Sequence, residues 1–132
     1  EYGEIEANLR CNYELNGIIS SSRRPCHVPH TWGTCWQMSV AAAGVDVGDN
    51  YFDTIVASDI LLYVSAYPAL VKTLQELMMC CCTKNTTTTI FVMSWNRRMK
   101  GSSEFFERMK KAGFDCQHEG KCIYTFRYAA ER

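Results

Sequence analysis

The chain has 132 residues, 47% hydrophobic and 21% charged, which is the make-up of an ordinary globular protein with room for one core but not two. Fourteen Lys and Arg balance fourteen Asp and Glu, and this zero net charge argues against a protein built mainly to hold nucleic-acid phosphates. No apolar run approaches the ~20 residues needed to span a bilayer, and the acidic, polar start has none of the marks of a signal peptide.

The elements follow in chain order. Ile5, Leu9 and Tyr13 recur at helical spacing, so Gly3 to Leu15 reads as a helix, and Asn16-Gly17 ends it with Gly17 as a left-handed cap. Ile18 to Pro25 is a loop, Cys26 to Pro29 a short strand, and His30-Thr31-Trp32-Gly33 a turn. Thr34 to Asn50, rich in small residues, reads as a long loop. Tyr51 to Asp59 is a strand; its apolar, β-branched run predicts cover on both faces. Tyr67, Leu70, Val71, Leu74, Leu77 and Met78 mark an amphipathic helix that tolerates Pro68 in its first turn. Lys84 to Thr88 is a polar turn, Thr89 to Trp95 a second buried strand, and Asn96 to Ser102 a loop. The basic run Arg97-Arg98-Met99-Lys100 in that loop reads as a solvated patch. Phe105, Phe106, Met109 and Ala112 mark another helix, closed by Gly113. Phe114 to His118, a turn at Glu119-Gly120, and Lys121 to Arg127 form an antiparallel hairpin.

Strands alternating with helices predict an α/β fold, with a mostly parallel sheet, helices on both faces and a C-terminal antiparallel hairpin. No internal repeat interrupts the single domain spanning residues 1–132. The eight cysteines do not form a disulfide framework. Cys80-Cys81-Cys82 is contiguous, and adjacent cysteines seldom bridge without strain. Cys26-His27, His30 and Cys35 come nearest to a metal site but lack a second paired half. Reduced thiols place the protein in the cytosol or nucleus.

The most informative stretch runs from Phe52 to Tyr63. An apolar strand delivers Asp59 to its carboxyl end, where open α/β sheets bind ligands, and Tyr63 follows four residues later. The competing readings are structural: Asp after a strand commonly caps a helix, and a tyrosine there packs beneath one.

The order of elements resembles the later part of a seven-strand S-adenosylmethionine-dependent methyltransferase, a Rossmann-like fold whose last two strands form a hairpin with the final strand inserted antiparallel. The local motifs are similar to its lysine-methyltransferase branch. They are Asn8, Asn12 and Asn16 in the first helix, the Trp32-Gly33 step, Ala57-Ser58-Asp59 through Tyr63, Ile90 to Trp95, and Phe105-Phe106 with Ala112-Gly113-Phe114. The resemblance covers nearly the whole chain, with two departures. Three residues, Ile60-Leu61-Leu62, stand between acid and tyrosine where the branch has two. The first strand and its Gly-rich loop are missing, which with the start at Glu1 reads as a fragment.

The resemblance implies S-adenosyl-L-methionine as cofactor and a protein lysine as acceptor, with no nucleic-acid or membrane partner. Such a transfer asks the protein to align an acceptor with an already activated methyl group and to exclude water. A lysine must also be neutral, because an ammonium has no lone pair. By resemblance Asp59 and Tyr63 are the catalytic pair that orients the amine, Asp59 also stabilising charge that develops on it. Trp32 is placed against the adenine, which suits its flat apolar ring. Ser58 presents backbone to the cofactor, and Glu1 is the remnant of the ribose-binding acid. Trp95 and Asn96 are expected to line the acceptor pocket. A second hypothesis is a truncated relative without activity that serves as an interaction module, because loss of the central strands exposes sheet faces and edges. A third is metal binding by Cys26, His27, His30 and Cys35.

Overall fold

The structure, a computed structural model, describes residues 2–18, 25–45, 52–79, 89–96 and 99–129. Glu1, Arg97-Arg98, the cysteine triplet and the expected turn at 84–88 lie outside them. The chain groups into two units, Glu1–His30 with Gln37–Asp46, and Thr31–Trp36 with Val47–Arg132.

The first unit holds α1 (Tyr2–Leu15), as its spacing predicts. Its end is closed by two bonds, Gly17 N–H to Glu14 O at 3.1 Å and Ile18 N–H to Tyr13 O at 2.8 Å. They need the left-handed turn that Gly17 makes at φ 71°. α2 (Trp36–Ala42), of which all but Trp36 belongs to this unit, replaces part of the long loop expected from Thr34 to Asn50. Gly44 caps it in the same way, with φ 67° and Val45 N–H reaching Val40 O. That glycine was the legible signal for a helix of only seven residues. The strand expected at Cys26 to Pro29 is irregular chain, and Pro25 and Pro29 have no N–H to give a ladder.

The second unit carries the sheet. Its elements are β1 (Thr54–Ser58), a 3-10 turn (Val64–Ala66), α3 (Tyr67–Met79), β2 (Ile90–Ser94), α4 (Ser103–Lys111), β3 (Phe114–Gly120) and β4 (Ile123–Tyr128). The strand order is β1-β2-β4-β3. β1 pairs parallel with β2, Val56 opposite Val92, and β4 pairs antiparallel with both β2 and β3. The final strand is therefore inserted between its hairpin partner and the parallel pair. The hairpin turn falls at Lys121-Cys122 rather than Glu119-Gly120. An irregularity between His118 and Gly120 takes up the glycine within β3.

One face of the sheet, with Phe91, Met93 and Phe126 at its centre, is buried beneath α3 and α4. Phe105 joins the layers, meeting Tyr67 edge-on at 5.8 Å and Phe126 at 5.9 Å. Alternation predicted helices on both faces, but within this unit α3 and α4 share one. Both connections step the same way along the sheet, and right-handed crossovers then put their helices on the same side. The expectation that β1 is covered on both faces is also corrected. Its residues alternate between exposed and half-buried, and Val56 is 74% exposed. β1 is an edge strand among the described residues, so a continuous apolar run here marks a strand open on one side.

Candidate functional site

β1 and β2 end side by side, joined by Asp59 N–H to Ser94 O at 3.0 Å. Asp59 leaves the strand in the left-handed conformation, φ 52°. Few residues other than glycine tolerate this; Asp is one of them, and such strain gathers at functional positions. The turn sends Leu61 into the core, fully buried, and the Tyr67 hydroxyl donates to the Leu61 carbonyl at 3.1 Å. Burial raises the Tyr67 phenol above its ordinary pKa, and the charge of Glu104 adds to this. The hydroxyl therefore stays a donor. The loop is pinned from inside at Leu61, while Asp59 and Tyr63 remain outside.

Tyr63 is 71% exposed and immediately precedes the 3-10 turn. It is not packed beneath the helix; the buried tyrosine here is Tyr67, the first residue of α3. Asp59 stands eight residues before the first residue of α3, too far upstream for that helix's N-cap position. Ser58, the last residue of β1, is exposed.

Trp32 is brought to this unit by its neighbour. Gly33 lies on α3, its N–H donating to Thr73 Oγ1 at 2.8 Å and its carbonyl accepting from Lys72 Nζ at 2.9 Å. A Cβ on Gly33 would stand 3.1 Å from Ala69 Cβ, and the residue's φ is 86°. Only glycine meets both demands. Trp32 is thereby held on a tethered turn with its ring 37% exposed. This docking was missed in the sequence, although Thr73 hints at it. A buried threonine on an apolar helix face needs a partner.

Beyond the end of β2 lies a cleft of about 880 Å³. Trp95 and Asn96, expected to line an acceptor pocket, both line it. Phe106, Tyr124 and His118 form a wall, Tyr124 lying 5.0 Å from Phe106 and 4.7 Å from the stacked His118 ring. Lys100, Lys121 and Glu107 supply charge. The cleft adjoins the end of β1 through two links. Asp59 is bonded to Ser94, the residue before Trp95. Gly101, in the loop at the cleft's lip, packs so closely on Val64, the residue after Tyr63, that a Cβ there would lie 3.0 Å from its Cγ2.

Glu1 lies outside the described residues. Among the described residues no three His, Cys, Asp or Glu side chains gather at metal-ligand spacing. Cys26 and Cys35 are exposed, and His30 Nδ1 is 2.9 Å from Ser39 Oγ, so the third hypothesis gains no support. No helix among them is long and apolar enough to cross a membrane.

No curated protein matches the chain. A family model for lysine methyltransferases matches residues 31–112. The match opens at the Trp32 turn and spans the Asp59 turn, Tyr63, α3, β2 and α4. It covers more than half of the sequence, and the chain belongs to the lysine methyltransferase family.

Proposed function

We propose that the protein transfers a methyl group from S-adenosyl-L-methionine to the ε-amine of a protein lysine, as one methyltransferase domain acting in the cytosol or nucleus. The observation that carries this reading is the left-handed Asp59 at the end of β1, beside a cleft lined by Trp95 and Asn96. A carboxylate held by a strained turn at a strand's carboxyl end is suited to meet a substrate.

The residues present fit the donor in part. Trp32 offers an exposed flat ring on a fixed turn, and Ser58 stands at the exposed strand end. These two would hold the cofactor. When bound, the cofactor supplies a methyl group already activated on sulfonium. The rest falls to the chain's own groups. Asp59 accepts hydrogen bonds from the incoming amine and fixes its lone pair. Its charge then stabilises the cation that forms on nitrogen. The Tyr63 hydroxyl gives the amine a second polar contact. The aromatic wall of the cleft excludes water from the lysine stem.

The test uses the protein, the methyl donor and lysine-bearing peptides, read by tandem mass spectrometry. Methylated lysine that is absent with Asp59→Asn supports the reading. Methylation on arginine or histidine, or activity that survives the substitution, overturns it.

The open edge of β1 favours a second reading, a relative that does not bind cofactor and acts as an interaction module. Among the described residues no strand pairs with β1 beyond β2, and Val56 is bare. On that reading residues 1–132 alone bind S-adenosylmethionine weakly or not at all. Micromolar binding in a calorimetric titration rules it out.

A further inference from the structure

Resting on the methyltransferase reading, we infer that the cleft beyond β2 selects acceptor lysines whose flanking residues are acidic. The charge of its lining points that way. Lys100 and Lys121 are both exposed, and neither enters an ion pair among the described residues. Among the described residues Glu107 is the single carboxylate of the lining. Two cations against one anion leave the cleft positive in a chain whose total charge is zero.

Three features make this a formed site rather than two stray lysines. Ser102 and Ser103 line the cleft at the start of α4, and the Ser102 hydroxyl makes no cap bond of its own. The hydroxyls are therefore left to donate to an anion, while Glu104 in the first turn offsets the positive end of the helix. Lys121 is held at φ 51°, an uncommon conformation for a long side chain. Its carbonyl lies 3.1 Å from His118 Nε2, and that ring stacks on Tyr124 in the cleft wall. The turn that presents Lys121 is thus tied to the wall the substrate would meet. Finally, the lip that carries Lys100 packs through Gly101 on Val64, the residue after Tyr63. A peptide that places its lysine at Asp59 and Tyr63 runs its flanking residues past that lip.

A carboxylate fits this lining better than a polyanion. Glu107 repels a continuous run of phosphates but tolerates single carboxylates paired with Lys100 or Lys121. The occupant is a protein segment in which Glu or Asp neighbours the target lysine.

The test compares two fluorescein-labelled peptides, identical except that Glu or Gln flanks the lysine. Binding is followed by anisotropy without methyl donor, so it does not depend on catalysis. Two exposed ion pairs predict a preference of about 5-fold for the Glu peptide. It shrinks with added salt, vanishes in Lys100→Gln/Lys121→Gln, and reverses in Lys100→Glu/Lys121→Glu. Equal affinity in the parent protein overturns the inference. So does a preference that survives charge reversal while circular dichroism shows a folded variant, or tighter binding of a single-stranded RNA oligomer. The same peptides assayed for methylation separate the two claims. A charge-dependent preference without methylation supports the cleft and removes the enzyme. Methylation of both peptides at equal kcat/KM and equal affinity removes the cleft alone.

Discussion

Gly33→Ala tests how the Trp32 turn is fixed to α3. At φ 86° an alanine pays for a left-handed backbone, about 1–2 kcal/mol. Its Cβ would also stand 3.1 Å from Ala69 Cβ and 3.4 Å from Ala69 Cα. The first of these is the tight one, and an alanine Cβ is fixed to the helical backbone, so the turn must move by a few tenths of an ångström. That shift loosens the 2.8 Å bond from Gly33 N–H to Thr73 Oγ1 and the 2.9 Å bond from Lys72 Nζ to the Gly33 carbonyl. Thr73 is buried, and leaving its hydroxyl oxygen short of a donor costs about 1 kcal/mol or more. Together these give a loss of about 2–4 kcal/mol. Gly120→Ala is the control. It lies in the same unit at φ 104° with nothing within 4 Å of an added Cβ, so it reports the backbone part alone. Urea unfolding followed by tryptophan fluorescence measures both, as midpoint shifts at unchanged slope. Ala69→Gly in the Gly33→Ala background relieves the clash and recovers part of the loss, although glycine costs about 1 kcal/mol in a helix. If Gly33→Ala and Gly120→Ala agree within about 0.5 kcal/mol, or if Ala69→Gly gives no recovery, the docking of the turn on α3 is refuted.

Asp59→Gly keeps the left-handed turn and is more stable than Asp59→Ala. Asp59→Ala loses about 1 kcal/mol, and both abolish methyl transfer; equal stability of the two variants would mean that the turn is not strained. Tyr67→Phe removes the donor to the buried Leu61 carbonyl and costs about 1–3 kcal/mol in thermal or urea unfolding. The raised Tyr67 pKa means that the folded state holds the phenolic proton more tightly than the unfolded chain. Its stabilisation is complete below about pH 10 and is lost as pH rises through the folded value. Alkaline unfolding of Tyr67→Phe should therefore lack that descent. Phe105→Ala empties the junction of α3, α4 and β4 and costs about 3–5 kcal/mol, which the same urea titration reads.

The helices and strands that bury a periodic face were legible. The 3.6-residue spacing of Leu70, Val71 and Leu74 and the aromatic pair Phe105-Phe106 specify α3 and α4 through burial alone. The terminal hairpin was also legible, but not its turn. Gly120 looks like the tip until the irregularity beside His118 absorbs it into β3 and the turn moves on to Lys121, which also takes a positive φ. α2 was hidden because seven residues carry too little periodicity. Its capping glycine was the better signal. Apolar content misled at β1, since a run such as Ile55-Val56-Ala57 states that a strand is hydrophobic, not how many of its faces find a partner.

Asp59 and Tyr63 stand out in the sequence by their place after an apolar strand, because strand ends are where polar side chains reach solvent without breaking a ladder. The left-handed turn at Asp59 and the docking of Gly33 depend on contacts between residues far apart in sequence, such as Thr73. The lysines of the cleft come from separate segments, Lys100 after β2 and Lys121 between β3 and β4. Only the insertion of β4 beside β2 brings those segments to one edge.

The most direct test of methyl transfer to lysine is label transfer from tritiated S-adenosylmethionine to an array of lysine peptides, run beside the same peptides with arginine in place of lysine. Label is expected on the lysine peptides alone, lost with Asp59→Asn. Label on the arginine set, or none on either from protein that circular dichroism shows to be folded, would contradict it.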